Sequence, residues 1–175
     1  PKGSQEKDLL ALYIRQIARH PLLTGQDEQQ IGEGMHAGQM ELEGLDKKAA
    51  ALRVSRRAYL RRKAELEHEI GLLKNKLILG NLRLVVSVAK KYQHRGVSLL
   101  DLVDEGNIGL IEAVQRFDYR KGCRFSTYGT WWIKQAVRRA LVNTAKTVRI
   151  PSYLAEKIHR VKRERSRLEA DLGRV

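Results

Sequence analysis

A chain of 175 residues carrying 34 Lys and Arg against 20 Asp and Glu, formally +14 at neutral pH, has room for one well-packed domain and favours a polyanionic partner, nucleic acid first. The one cysteine, Cys123, excludes an internal disulfide framework and fits a reducing cytoplasm, while His20, His36, His68, His94 and His159 are too scattered to read as metal ligands. No segment reads as a signal peptide or a membrane span, and the longest apolar-rich stretch, Leu77 to Ala89, is broken by Asn81 and Arg83. The chain opens on Pro1 without a methionine, which reads as a piece of something longer.

Helical periodicity runs through almost the whole chain, strand-type alternation is nearly absent, and the expected fold class is all-α. A first amphipathic helix covers Asp8 to Arg19, with Leu9, Leu12, Tyr13 and Ile17 on one side. "HPLLTGQDEQQ" breaks it, and Thr24 or Asp27 caps a second helix reaching about Ala37. From 39 to 72 the sequence is charged, mixed in sign and poor in bulky apolars, and reads as a solvated helical spacer. A long helix follows to about Gln93, with Leu77, Leu84, Val85 and Val88 as its stripe and Gly96 beyond its end. Ser98 and Asp101 form an S-x-x-D capping box for a helix over Leu99 to Arg116. Ser126 opens the next helix, to about Lys146, and a basic helix from Tyr153 to Leu172 closes the chain. The architecture expected is a compact helical bundle with a charged helical spacer and a C-terminal basic helix.

Charge and aromatics coincide in one place. Six of the ten aromatic residues fall between Phe117 and Trp132, and nine Lys or Arg against one acid, Asp118, fall between Arg116 and Arg149. On a helix, Tyr128, Trp132, Gln135 and Arg139 share a face, with Trp131 and Arg138 beside it. A lone Trp reads more simply as core, but this stripe turns polar and cationic within two turns, and Ile133, Ala136, Val137, Ala140 and Leu141 already supply an apolar face. Rings beside cations suit single-stranded nucleic acid. A base stacked on an aromatic contributes about 1–3 kcal/mol, and extruding a base costs only a few kcal/mol, so two or three such contacts offset the opening of an A·T-rich stretch.

These residues resemble a known family. "NLRLVVSVAKKY" (Asn81–Tyr92), "LLDLVDEGNIGLIEAVQRFDYRKG" (Leu99–Gly122), "RFSTYGTWWIKQAVRRAL" (Arg124–Leu141) and "TVRIP" (Thr147–Pro151) are similar to the second conserved region of bacterial sigma-70 family transcription initiation factors. "LYIRQI…PLLT", within residues 8 to 38, is similar to the segment just upstream. The resemblance implies four parts: 1–38, a helical segment meeting the promoter discriminator; 39–72, the variable spacer; 73–147, helices that bind core polymerase and the minus-ten element; and 148–175, the first helix of the next region. It implies a protein that is not an enzyme and needs no cofactor. The implied protein docks on RNA polymerase core, directs it to promoters and holds the melted non-template strand. An anti-sigma factor or an activator is a further candidate partner; a membrane is not.

Carried over residue by residue, the resemblance assigns Asp101, Glu105, Asn107 and Ile111 to the clamp helices of the largest polymerase subunit. Glu105 and Asn107 serve no evident structural need, whereas Asp101 also suits a cap. A flipped adenine would meet Asp118, Lys121, Tyr128 and Gln135, and a flipped thymine Asn81, Leu84, Arg124 and Ser126, with Ser126 equally suited to an N-cap. Trp131 and Trp132 would wedge against the last base pair, Arg138 and Arg139 would meet the upstream fork, and Ile14 and Arg15 the discriminator. Glu156 would read the extended minus-ten motif, as a carboxylate accepting from a cytosine amino group does. Four positions depart from the family pattern: Cys123 stands for an aromatic, Tyr153 for a histidine, Arg138 for a threonine and Gly129 for an alanine that favours helix by about 1 kcal/mol. They point to an alternative or divergent primary-like member. The acidic N-terminal segment and the minus-thirty-five reader of the family would lie outside these residues. Two other classes remain open: a helical protein-interaction adaptor working through the Glu105–Asn107 helix, and a helix-turn-helix binder of duplex DNA.

Overall fold

The computed structural model describes residues 2–51, 55–144 and 152–173, and all of its regular structure is helical. Six helices follow one another: α1 (Lys2–Ile17), α2 (Gly25–Ala50), α3 (Arg56–Ala89), α4 (Leu99–Arg116), α5 (Phe125–Thr144) and α6 (Ser152–Leu172). Their starts have local causes. On α2, Thr24 accepts the Asp27 N–H while the Asp27 carboxylate accepts the Thr24 N–H, a complete capping box with Thr24 as N-cap. On α4 only half the expected box forms: Ser98 accepts the Asp101 N–H at 3.2 Å, and the Asp101 carboxylate has no partner among the described residues. The α5 helix begins at Phe125, so Ser126 sits inside its first turn rather than capping it.

The bundle closes around α3, α4 and α5. Leu77, Val85 and Val88 from α3, Leu102, Leu110 and Val114 from α4, and Phe125, Ile133 and Val137 from α5 form one buried cluster. Burying each such side chain contributes about 1.5–3 kcal/mol. Close approach of α4 to α5 depends on Gly109, where an added Cβ would lie 2.7 Å from the Trp132 carbonyl oxygen. Gly129, read above as a departure that weakens α5, has a packing reason: an added Cβ would meet the buried Phe125 ring at 3.0 Å.

Two expectations are corrected. The stripe Leu9, Leu12, Tyr13, Ile17 packs only through Tyr13 and Ile17, because α1 meets α3 near its C-terminal end and leaves Leu9 and Leu12 exposed. Residues 39–72 are not a purely solvated spacer. They complete a helical hairpin, with α2 running on past the expected end at Ala37 to Ala50, and Leu66 (1% exposed) and Ile70 are buried. Few bulky apolars suffice there because two helices need only a narrow seam between them. The "TVRIP" motif falls at 147–151, outside the described residues.

Candidate nucleic-acid interface

The α5 rings form a connected row. Phe125 is fully buried and meets Phe117 edge-on at 5.1 Å, Phe117 meets Tyr128 at 6.1 Å, Tyr128 meets Trp132 at 6.2 Å, and Trp132 meets Trp131 edge-on at 5.0 Å. Exposure rises along it. Tyr128 and Trp132 are half-buried, whereas Trp131 is 59% exposed. The buried end anchors the row and the outer end presents an indole to solvent. The Tyr128 hydroxyl donates to the Arg116 carbonyl at 3.4 Å, and the Arg116 guanidinium lies 4.9 Å from the Trp132 ring centre, a cation–π contact that puts positive charge beside the rings. Gln135 and Arg139 are exposed further along α5, and Arg138 donates from Nε to the hydroxyl of buried Tyr92 at 3.3 Å.

A second feature lies where α2, α3 and α5 meet. Asn81, Leu84, Arg124 and Ser126 line one cleft of about 390 Å³ together with Leu22, Leu23, Glu28, Gly80 and Arg83. Asn81 is buried and its amide donates back to the Leu77 carbonyl at 2.9 Å, which leaves its side-chain oxygen as an acceptor. Glu28 organises the wall. It is 4% exposed and accepts from Arg124 Nε at 3.0 Å, Arg124 Nη2 at 3.2 Å and the Phe125 backbone N–H at 3.0 Å. One carboxylate thus orients a cleft guanidinium and satisfies an orphan donor in the first turn of α5. Hydrogen bonding to Glu28 raises the Arg124 pKa above its ordinary value. Glu28 is missing from the sequence reading. Its partners lie nearly a hundred residues away, and no local pattern links them.

The expected adenine set is less assembled. Asp118 accepts from Arg120 Nε at 2.9 Å and from the Arg120 N–H, contacts that hold its carboxyl below the ordinary range. Lys121 is exposed in the same one-turn 3₁₀ segment, Tyr119–Lys121, which rests on α2 because Gly32 leaves room for the Tyr119 ring. No hydrogen bond among the described residues joins Asp118, Lys121, Tyr128 and Gln135. Ile14 lines a shallow groove of about 300 Å³ between α1 and α3 with Arg83 and Lys90 at its edge, and Arg15 is exposed beside it. Glu156 lies in α6, and its side chain is outside the described residues.

On α4, Asp101 and Ile111 are exposed and Glu105 is half-buried, with exposed Ile108 between them that the sequence reading missed. Asp104 and Glu112 make this face acidic and apolar, opposite in sign to α5. Asn107 does have a structural partner, contrary to expectation: its amide donates to the Tyr13 hydroxyl at 3.2 Å, tying α4 to α1. No described helix is long and apolar enough to cross a membrane, and no described group of His, Cys, Asp or Glu could hold a metal.

Comparison with known proteins accounts for this arrangement. The family model for sigma-70 region 2 matches residues 77–147, and that for sigma-70 factor region 1.2 matches residues 8–41. The chain is 43% identical over 99% of its length to the RNA polymerase principal sigma factor HrdC of Streptomyces coelicolor, covering 51% of that protein. It is 40% identical over 97% of its length to the principal sigma factors HrdD of Streptomyces coelicolor and of Streptomyces griseus, covering 50% of each. The chain thus spans about half the length of the curated relatives it matches. Two models of one family, matched in chain order across the ring row, the cleft and the α1–α2 segment, establish that the chain belongs to the sigma-70 family.

Proposed function

We propose that the chain is the part of a transcription initiation factor that docks on RNA polymerase core and captures unpaired bases of the promoter minus-ten element. The observation that carries this is the graded ring row, which holds the Arg116 guanidinium against Trp132, ends in the exposed Trp131 indole and shares α5 with the Glu28-braced cleft. Trp131 and Trp132 close the upstream edge of the bubble by stacking on the last pair, and Arg138 and Arg139 meet backbone there. One captured base, a thymine, enters the cleft against Asn81, Leu84, Arg124 and Ser126, whose donors and acceptors suit a pyrimidine edge. The other, an adenine, stacks on Tyr128 with Asp118, Lys121 and Gln135 around it. Ile14 and Arg15 contact the discriminator, and Glu156 the extended element. Asp101, Glu105 and Ile111, with Ile108, form the polymerase-docking face, and Asn107 holds that face against α1. No bond is made or broken; each capture stabilises separated strands by binding energy alone.

Fluorescence anisotropy with a non-template "TATAAT"-type oligonucleotide against a scrambled one tests the reading. The chain prefers the first, and Tyr128→Ala weakens binding by about 1–3 kcal/mol, roughly 5- to 150-fold in Kd. Equal binding of both oligonucleotides would favour the adaptor, and a preference for duplex would favour the helix-turn-helix reading. A pull-down with polymerase core tests docking, which Ile108→Asp or Ile111→Asp abolishes while leaving oligonucleotide binding intact.

A further inference from the structure

We propose that the tip of the α2–α3 hairpin is a second, sequence-independent contact for the phosphate backbone of duplex DNA. The inference goes beyond base capture and rests on that reading only in so far as the chain meets DNA at all. Between Lys47 and Ala64 the sequence holds eight Lys or Arg and no acid. The structure divides the seven of them that it describes into two groups. On the shaft, Arg62 pairs with Glu41 at 2.8 Å and with Glu65 at 3.3 Å, Lys63 pairs with Asp46 at 3.6 Å, and Arg61 approaches Glu65 at 3.7 Å. The Tyr59 hydroxyl donates to Asp46 at 2.8 Å and pins the register of the two helices, so that residues 47–51 and 55–58 lie beyond the last acid. There Lys47, Lys48, Arg56 and Arg57 are exposed and have no ion pair among the described residues.

Two of these four sit where the fold does not want them. Lys47 and Lys48, in the last turn of α2, complement its dipole, but Arg56 and Arg57 occupy the first turn of α3, which has no acid and where the macrodipole disfavours positive charge. A helix kept soluble by charge mixes its signs, as the shaft does. A one-sign group of cations toward the end of a helical hairpin answers a polyanion, and duplex DNA carries one charge per about 1.7 Å of axis.

The test is anisotropy of a labelled duplex lacking any minus-ten-like hexamer, titrated from about 50 to about 200 mM salt. Three forms of the chain are compared: unaltered, K47Q/K48Q/R56Q/R57Q, and the charge-keeping K47R/K48R/R56K/R57K. The unaltered and charge-keeping forms should share one slope of log affinity against log salt. The glutamine form should be shallower by about 2–4, near 0.9 per lost phosphate contact, and roughly tenfold or more weaker at the lowest salt. An unchanged slope in the glutamine form overturns the proposal, as does equal loss in the charge-keeping form. Poly-glutamate binding that falls as steeply as duplex binding in the glutamine form would reassign the tip to an acidic protein. Preference for the "TATAAT"-type strand over its scrambled control is read in the same samples. If the unaltered chain lacks that preference, base capture fails, while the duplex slope still decides the tip.

Discussion

Replacing Glu28 tests whether α2 braces the ring-bearing helix. The Glu28 side chain is 6% exposed and its three donors are two Arg124 N–H groups and the Phe125 N–H. A hydrogen bond to a charged group is worth about 1.5–3 kcal/mol, and loss of an N-terminal helix contact costs about 0.5–2 kcal/mol. Breaking a fully buried pair costs about 3–5 kcal/mol, but the Arg124 side chain is 56% exposed and rehydrates once released, so that figure is an upper bound. Glu28→Ala is therefore expected to destabilise the chain by about 2–3 kcal/mol, or roughly 4–12 °C in Tm for a domain of this size. Glu28→Gln keeps an acceptor for the Phe125 N–H and should cost about half as much. Thermal unfolding followed by circular dichroism measures both, and a double-mutant cycle with Arg124→Gln isolates the pair, with a stabilising coupling expected. A Tm within about 1 °C of the unaltered chain for Glu28→Ala, or a coupling near zero, would refute the brace.

Gly109→Ala places a methyl group against the Trp132 carbonyl, a backbone atom that cannot swing away, and should cost about 1–3 kcal/mol or more in chemical denaturation. Burial, helped by the nearby Asp104 charge and opposed by the Asn107 hydrogen bond, raises the Tyr13 phenol pKa above its ordinary value, so the stability gained by burying the neutral phenol is fully present below the unfolded phenol pKa and is lost as pH climbs through the raised one. Absorbance titration should show a tyrosine ionising later than a free phenol, and Tyr13→Phe should remove that late step. Cys123 is exposed next to Arg124, and if the proposed adenine site lies there Cys123→Tyr, which adds a ring, should tighten binding of the minus-ten strand. Unchanged or weaker affinity in the anisotropy titration would count against an adenine site at that place.

Periodicity and composition alone were enough for an all-α fold, for the Ser98 cap and for the overlap of rings with positive charge on α5, because each is a property of residues within a few turns of one another. The same locality explains the misses. Whether Trp131 faces solvent while Phe125 is sealed depends on which side of α5 receives α4, and that is a matter of tertiary packing around Gly109. Asn107 looked free until α1 brought Tyr13 to it, and the spacer looked solvated until two helices closed over Leu66 and Ile70. Glu28 carries the same lesson furthest: a carboxylate in the first turn of α2 resembles an ordinary dipole-complementing acid, and only folding places it under Arg124 and Phe125. Sequence determines which surfaces a helix can offer; docking of helices far apart in the chain decides which are buried, which are braced and which remain open to a base.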